Sequence, residues 1–158
     1  MHRIGFGNDI HRLVAGRPLV IGGVEIASDV GPDGHSDADV LLHAITDALL
    51  GALALGDIGT HFPNTDERWL NAESAVFLRY TLGLLRSHGY AIANIDSTVS
   101  LEKIKLLPFI DEMRANIAQA LEIEISQVSV KAKTNETVDA VGEGRAVRAE
   151  ALVLLNQA

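Results

Sequence analysis

An α+β fold is what this chain predicts, with helices laid over one face of a mixed β-sheet in a single domain covering residues 1–158. Three observations carry that expectation. The first part of the chain is rich in strand-like runs and in glycine, and the later part alternates helical and strand patterns. No internal repeat, low-complexity tract or linker divides it, and 158 residues suit one domain with a substantial core.

Arg3 to His11 reads as a strand carrying Gly5 and Gly7, positions where another backbone or a ligand comes close. Pro18 to Ile26 reads as a short hairpin turning at Gly22-Gly23. Gly31 to Gly34 is a loop, and Ser36 or Asp37 is the expected cap of a helix running to about Leu53. Leu41, Leu42, Ile45, Leu49, Leu50 and Leu53 lie all round that helix, so it should be buried on most sides. Gly56 to Asp66 is an irregular polar loop bearing Asp57, His61, Asn64 and Asp66, a place where function tends to sit. A second helix fits Ala72 to Ser87, with Ala75, Leu78, Leu82 and Leu85 on one stripe, and Gly89 ends it. Tyr90 to Leu101 follows as a long strand. Pro108 opens a third helix with Asp111 and Glu112 near its positive end and a stripe of Ile110, Met113, Ile117 and Leu121. Val128 to Thr134 and Ala146 to Leu155 are the last two strands. Part of the final strand is apolar on both faces, which fits either a central strand of a monomer or burial by another subunit.

Apolar residues make up 47% of the chain and charged residues 22%, the balance of a soluble globular protein. A net charge of −8 argues against a nucleic-acid surface. It leaves room for an anionic small molecule, because a metal can supply positive charge locally. With no cysteine, disulfides, thiolate ligands and cysteine nucleophiles are excluded, and any metal site must use His, Asp and Glu. No apolar run is long enough to span a bilayer, and the chain opens on a strand, so no targeting segment and a cytoplasmic location are expected.

The chemistry gathers around Asp9-Ile10-His11. Two residues apart on a strand, Asp9 and His11 share a face, and His43 comes from the first helix. Three such ligands suit zinc and leave a fourth tetrahedral position open. The alternative is that Asp9 caps a turn and the histidines are ordinary. Asp47, one turn after His43, either accepts from its ring or pairs locally. His2, His61 and His88 read as surface histidines, and Trp69 as a cover for the loop after Asp66.

Four motifs extend this picture: Arg3-Ile4-Gly5-Phe6-Gly7-Asn8-Asp9-Ile10-His11; Gly34-His35-Ser36-Asp37-Ala38-Asp39-Val40 with His43-Ala44 and Thr46 to Gly51; Gly56-Asp57-Ile58-Gly59 with Phe62-Pro63-Asn64-Thr65-Asp66; and Lys131 to Glu136. In order and spacing, over almost the whole chain, they resemble the 2-C-methyl-D-erythritol 2,4-cyclodiphosphate synthase family. That resemblance implies a metal-dependent cyclisation of 4-diphosphocytidyl-2-C-methyl-D-erythritol 2-phosphate with release of CMP, on the non-mevalonate route to isoprenoids. It implies a homotrimer whose active sites are shared between neighbouring subunits, with no membrane or nucleic-acid partner.

By the same resemblance, Asp9, His11 and His43 hold Zn²⁺, and Glu136 is the protein ligand of a Mg²⁺ or Mn²⁺ that bridges substrate phosphates. His35 and Ser36 match positions that hold substrate phosphate, and Thr134 the position that orients the α-phosphate, which makes His35 and Thr134 the implied catalytic pair. Asp57, Ile58, Gly59, Phe62, Pro63, Asn64, Thr65 and Asp66 match the segment around the methylerythritol. Lys105, Leu106, Leu107, Lys133, Thr134, Asn135 and Glu136 match the cytidine-diphosphate pocket of the adjacent subunit. Bland roles stand beside these: His35 as a turn residue, Ser36 and Asp39 as a capping pair, Asp57 as a loop stabiliser, Thr134 and Glu136 as a strand end.

The chain departs from the family pattern in three places. Gly142-Glu143-Gly144-Arg145-Ala146 exchanges an acid and a base, and is expected to weaken isoprenoid diphosphate binding in a cavity on the threefold axis. Asn64 stands where aspartate is common, and Leu101-Glu102-Lys103-Ile104 differs from the usual run. Two other readings use the same residues: a metal-dependent phosphohydrolase, and a non-catalytic trimer that binds isoprenoid phosphates.

Overall fold

The computed structural model describes residues 1–158. Its strands are β1 (His2–Ala15), β2 (Leu19–Ile21), β3 (Val24–Ile26), β4 (Val30–Pro32), β5 (Tyr90–Ser100), β6 (Val128–Lys133) and β7 (Ala146–Gln157). The helices are α1 (Val40–Ala52), α2 (Ile58–His61), α3 (Ala75–Ser87), α4 (Ile110–Leu121) and α5 (Asp139–Gly142). Five strands form one mixed sheet in the order β4-β1-β7-β5-β6, while β2 and β3 pair as a separate hairpin. Only β5 and β6 run parallel, and α4 makes the crossover that such a pair requires. The expected α+β class and mixed sheet are therefore present. No helix is long and apolar enough to cross a membrane.

β1 alternates cleanly, and its odd-numbered residues face α1. Gly5 and Gly7 let the helix lie directly on the strand. A Cβ on Gly5 would stand 1.8 Å from the Ala48 carbonyl oxygen, and one on Gly7 2.1 Å from that of Ala44. Ala44, Ala48 and Ala52 are the small residues α1 presents there, all within the core cluster. The close backbone approach expected at these glycines is the contact that seats α1. Gly22 and Gly23 both take positive φ (59° and 72°), as the tight turn between β2 and β3 demands.

Several boundaries differ from expectation for local reasons. The cap of α1 is Asp39, not Ser36 or Asp37, because Ala38 turns the chain through φ 55° just before it. The Asp39 carboxylate accepts from the backbone N–H groups of Leu41, Leu42, Gly22 and Gly23, and so ties the hairpin turn to the helix start. α3 starts at Ala75 rather than Ala72, and Pro108 lies in a 3₁₀ turn ahead of α4. β4 forms where a loop was expected, pairing Val30–Pro32 with Leu13–Ala15. Within the loop expected between Gly56 and Asp66, the chain forms α2.

β7 is the central strand, flanked by β1 and β5. Val147, Ala149, Ala151, Val153 and Leu155 point into the core beneath the helices. The opposite face of the sheet is uncovered and carries Ile4, Phe6, Ile10 and Leu152, each about half exposed or more. Phe6 pairs with Leu152 and Ile4 with Leu154 across the β1–β7 ladder, so the apolar residues are adjacent on that face. An uncovered antiparallel face is ordinarily polar.

Candidate active site and metal centre

The close seating of α1 on β1 brings His43 over Asp9 and His11. Asp9 Oδ2 lies 2.8 Å from His11 Nε2 and 2.9 Å from His43 Nδ1, and the two histidine nitrogens are 3.4 Å apart. Tetrahedral ligands at zinc-like bond lengths stand about 3.3 Å from one another, so these three atoms already sit near such positions. Among His, Asp and Glu clusters this one has the donor convergence a metal needs, all within 4.8 Å. His11 Nδ1 donates to the Asp33 carbonyl at 2.7 Å, which fixes the tautomer that leaves Nε2 free to bind.

Burial pushes the Asp9 carboxyl up, but the hydrogen bonds and charge of His11 and His43 outweigh it and hold Asp9 well below the usual carboxylate range. Burial lowers His11, yet its hydrogen bond to Asp9, the Asp9 charge and the Asp33 carbonyl raise it above its ordinary value. Each group is thus set up to stabilise charge on its neighbour.

These residues open into a cavity of about 520 Å³. His35 and Ser36 line it from the loop before α1, and Ile58, Gly59, Phe62, Pro63, Asn64 and Thr65 from the far side. Gly34, Trp69 and Phe77 complete the wall, and none of these was singled out as a site residue from the sequence. Phe62 stacks 4.4 Å from Phe77, with Trp69 edge-on at 5.2 Å, so the apolar wall is one aromatic cluster. Only its residue types signalled it, because the three rings come from separate segments. His35 Nε2 donates to the Asp66 carbonyl at 3.1 Å, which aims the ring.

Two expected site residues, Asp57 and Asp66, do not line this cavity, and Asp47 and His61 also turn elsewhere. Asp57 caps α2 through Thr60 N–H and hydroxyl at 2.9 and 2.8 Å, and those bonds hold its carboxyl below the usual range. Asp66 is paired with Arg68. Asp47 accepts from Ile58 N–H at 2.7 Å and so braces α2 rather than His43. His61 is half-buried against Tyr80, with its Nε2 on the Leu55 carbonyl, rather than free on the surface.

Thr134 and Glu136 bond each other at 2.8 Å at the end of β6. Across the sheet Asp9 pairs with Ala149, Ala149 with Val99, and Val99 with Ala132. That is three strand spacings, or about 14 Å, between the Asp9 row and the segment carrying Lys133, Thr134, Asn135 and Glu136. Glu102 accepts from the Asn135 and Thr137 backbone N–H groups at 2.9 and 3.2 Å and shapes that segment. Lys105 and Leu107 are exposed nearby in sequence, while the Leu106 side chain is in the core, leaving only its backbone for a ligand. Glu143 and Arg145 pair with each other.

The model of the YgbB family matches residues 2–156. A 2-C-methyl-D-erythritol 2,4-cyclodiphosphate synthase from Salinibacter ruber is 54% identical over 156 residues, covering 99% of both chains. Among solved structures, the bifunctional IspDF of Campylobacter jejuni superposes with a TM-score of 0.96 at 37% identity; it covers all of this chain, which spans 43% of that longer one. An IspF–CDP complex from Plasmodium falciparum superposes with a TM-score of 0.87 at 38% identity, covering 99% of this chain and 96% of that one.

Proposed function

The chain belongs to the YgbB family, and on that premise we propose that it cyclises 4-diphosphocytidyl-2-C-methyl-D-erythritol 2-phosphate to 2-C-methyl-D-erythritol 2,4-cyclodiphosphate and releases CMP, as an enzyme of isoprenoid biosynthesis. The observation that carries this reading is the convergence of Asp9, His11 and His43 in the lining of the cavity walled by the Phe62–Thr65 loop. An oxygen of the 2-phosphate bonds to the β-phosphorus, the bond from that phosphorus to the bridging oxygen breaks, and CMP departs with that oxygen. The attacking phosphate monoester has a second pKa near ~6, so at neutral pH it needs no protein base. That agrees with a site holding no activated Ser or Cys nucleophile.

Two imidazoles and one carboxylate fit zinc, and Glu136, an oxygen donor beside Thr134, suits Mg²⁺ or Mn²⁺. When bound, these cations neutralise the approaching phosphates and polarise the attacked phosphorus. His35, aimed by the Asp66 carbonyl, and Ser36 position the substrate phosphate. Phe62, Pro63, Asn64 and Thr65 hold the methylerythritol, whose two reacting groups then meet within one molecule. Asp57 and Asp66 act through their loops. Thr134 orients the α-phosphate, and Lys133, Asn135, Lys105, Leu107 and the Leu106 backbone hold CDP.

The enzyme works as a homotrimer with each site shared between subunits. The separation of about 14 Å between the two residue groups supports this, because the second group of one subunit is free to serve a neighbour's cavity. The exposed Ile4, Phe6 and Leu152 face supplies apolar surface of the kind subunits bury. The substrate is a water-soluble polyanion, which suits a cytoplasmic enzyme.

³¹P NMR of the protein with this substrate and Mg²⁺ tests the reading, run as isolated, after chelation and after zinc is restored. Cyclic diphosphate and CMP, lost on chelation and regained with zinc, are expected. Hydrolysed monophosphates would identify a phosphohydrolase instead. Unchanged substrate would leave only a binding protein.

A further inference from the structure

We propose that Ser74 and Asp37 are positioning residues for the metal centre, a relay that fixes the tautomer and orientation of His43 from behind. The inference rests on the reading that Asp9, His11 and His43 hold a metal ion, and it names no additional ligand.

His43 turns Nδ1 toward Asp9 and His11, so its other nitrogen, Nε2, points into the protein. There the Ser74 hydroxyl lies 2.8 Å away, closer than Ser36 at 3.2 Å. The Ser74 hydroxyl in turn donates to Asp37 Oδ1. Asp37 also accepts the Ser74 N–H at 2.9 Å and the Asp39 N–H at 3.1 Å, so its carboxylate is held by three donors. Only one proton arrangement satisfies every partner when Nδ1 binds a cation. Nε2–H donates to Ser74, and Ser74 O–H donates to Asp37. A neutral imidazole with its proton on Nε2 is the tautomer that leaves the Nδ1 lone pair free.

The local structure argues that this arrangement is not an incidental by-product of helix capping. Ser74 occupies the N-cap position of α3, where a serine side chain normally accepts from the first helical turn. Here it makes no capping bond and sits in helical rather than extended geometry. Its hydroxyl is spent on His43 and Asp37 instead, and the residue is fully buried. Asp37 likewise does not cap α1, a role Asp39 takes. The segment before Ser74 is fastened to the same loop by Asn71 N–H to the His35 carbonyl and Asp37 N–H to the Ala72 carbonyl. Two residues suited to capping are thus diverted to the imidazole of one metal ligand.

Outer partners of this kind are worth about 10–100-fold in metal affinity. Zinc affinity is measured by chelator competition for the parent, Ser74→Ala, Ser74→Thr and Asp37→Asn, with melting of the zinc-free proteins in parallel. The Co²⁺-loaded forms are compared by their visible absorption, which reports ligand geometry. Ser74→Ala is expected to lose about tenfold or more in zinc affinity and to shift the Co²⁺ bands. Ser74→Thr, which keeps the hydroxyl, should recover most of both, and Asp37→Asn should fall between. Zinc affinity and Co²⁺ bands unchanged in Ser74→Ala, whatever its melting temperature, would overturn the relay and leave Ser74 a purely structural residue. If Ser74→Ala does not fold, Asp37→Asn decides by the same two readouts. A parent protein that binds no zinc would instead sink the metal reading itself.

Discussion

Replacing Gly7 by alanine tests how the site is built. The new Cβ would stand 2.1 Å from the Ala44 carbonyl oxygen and 2.6 Å from the Ala48 nitrogen, both backbone atoms of α1. Carbon–oxygen contacts relax to about 3.3 Å, so the helix must move outward by about 1.2 Å or the strand must buckle. Overpacking of this kind costs about 1–3 kcal/mol, and the rigid backbone on both sides places Gly7→Ala at the upper end. For a domain of this size about 3 kcal/mol lowers Tm by roughly 6–12 °C. On the proposed metal reading, the larger effect falls on zinc binding. His43 immediately precedes Ala44 on α1, and a metal site tolerates displacements of only about 0.2 Å. Zinc affinity should therefore drop by at least about tenfold, measured by chelator competition alongside thermal melting. Gly7→Ala protein with unchanged Tm and unchanged zinc affinity would refute the argument that glycine seats the helix and the helix seats the ligand.

Gly83→Ala is the opposite case: its Cβ would meet nothing within 4 Å on the exposed face of α3, so it should stabilise by about 0.5–1 kcal/mol in denaturant melts. Asp39 carries the pH prediction. Burial, with the Asp37 charge, pushes its carboxyl up to about 6 against the pull of the backbone N–H groups. A folded pKa above the unfolded one means the folded chain takes up the proton first, so the cost of the buried charge is fully present above pH 6 and is relieved as pH falls toward 4. Measured on zinc-free protein, the parent should gain up to about 3 kcal/mol relative to Asp39→Asn between pH 7 and pH 4, and a flat difference would contradict the shift. Glu102→Ala removes the acceptor for Asn135 and Thr137 N–H, and titration calorimetry should show CDP affinity down by about tenfold with zinc content intact. Phe6→Glu places a charge on the uncovered sheet face beside Leu152; under the proposed trimeric assembly, sedimentation should show a trimer for the parent and a monomer for the variant, and a parent that sediments as a monomer would refute that assembly.

Period and spacing were enough to make most of the architecture legible. Alternation marked the strands, the 3.6-residue stripes marked α3 and α4, and the all-round apolar pattern of α1 matched a helix whose residues are nearly all buried. Two residues apart on a strand, Asp9 and His11 had to share a face. The glycines announced a close approach, but the sequence did not say to what. Element ends were less legible, because Ala38 in left-handed geometry and the hydrogen bonds of Asp37 and Asp39 to other segments decide where α1 begins.

What the sequence determined by itself was the class of fold, the Asp-x-His pair and the residue types of the cavity, since these depend on local periodicity. What only the tertiary structure decided was which carboxylate serves His43. Asp47 is the nearer in helical spacing, yet it turns to Ile58, while Asp37 reaches the imidazole through Ser74, 37 residues further along the chain. Hydrogen bonds between distant segments depend on how α1, α3 and the loop pack together, and no spacing within one element encodes them.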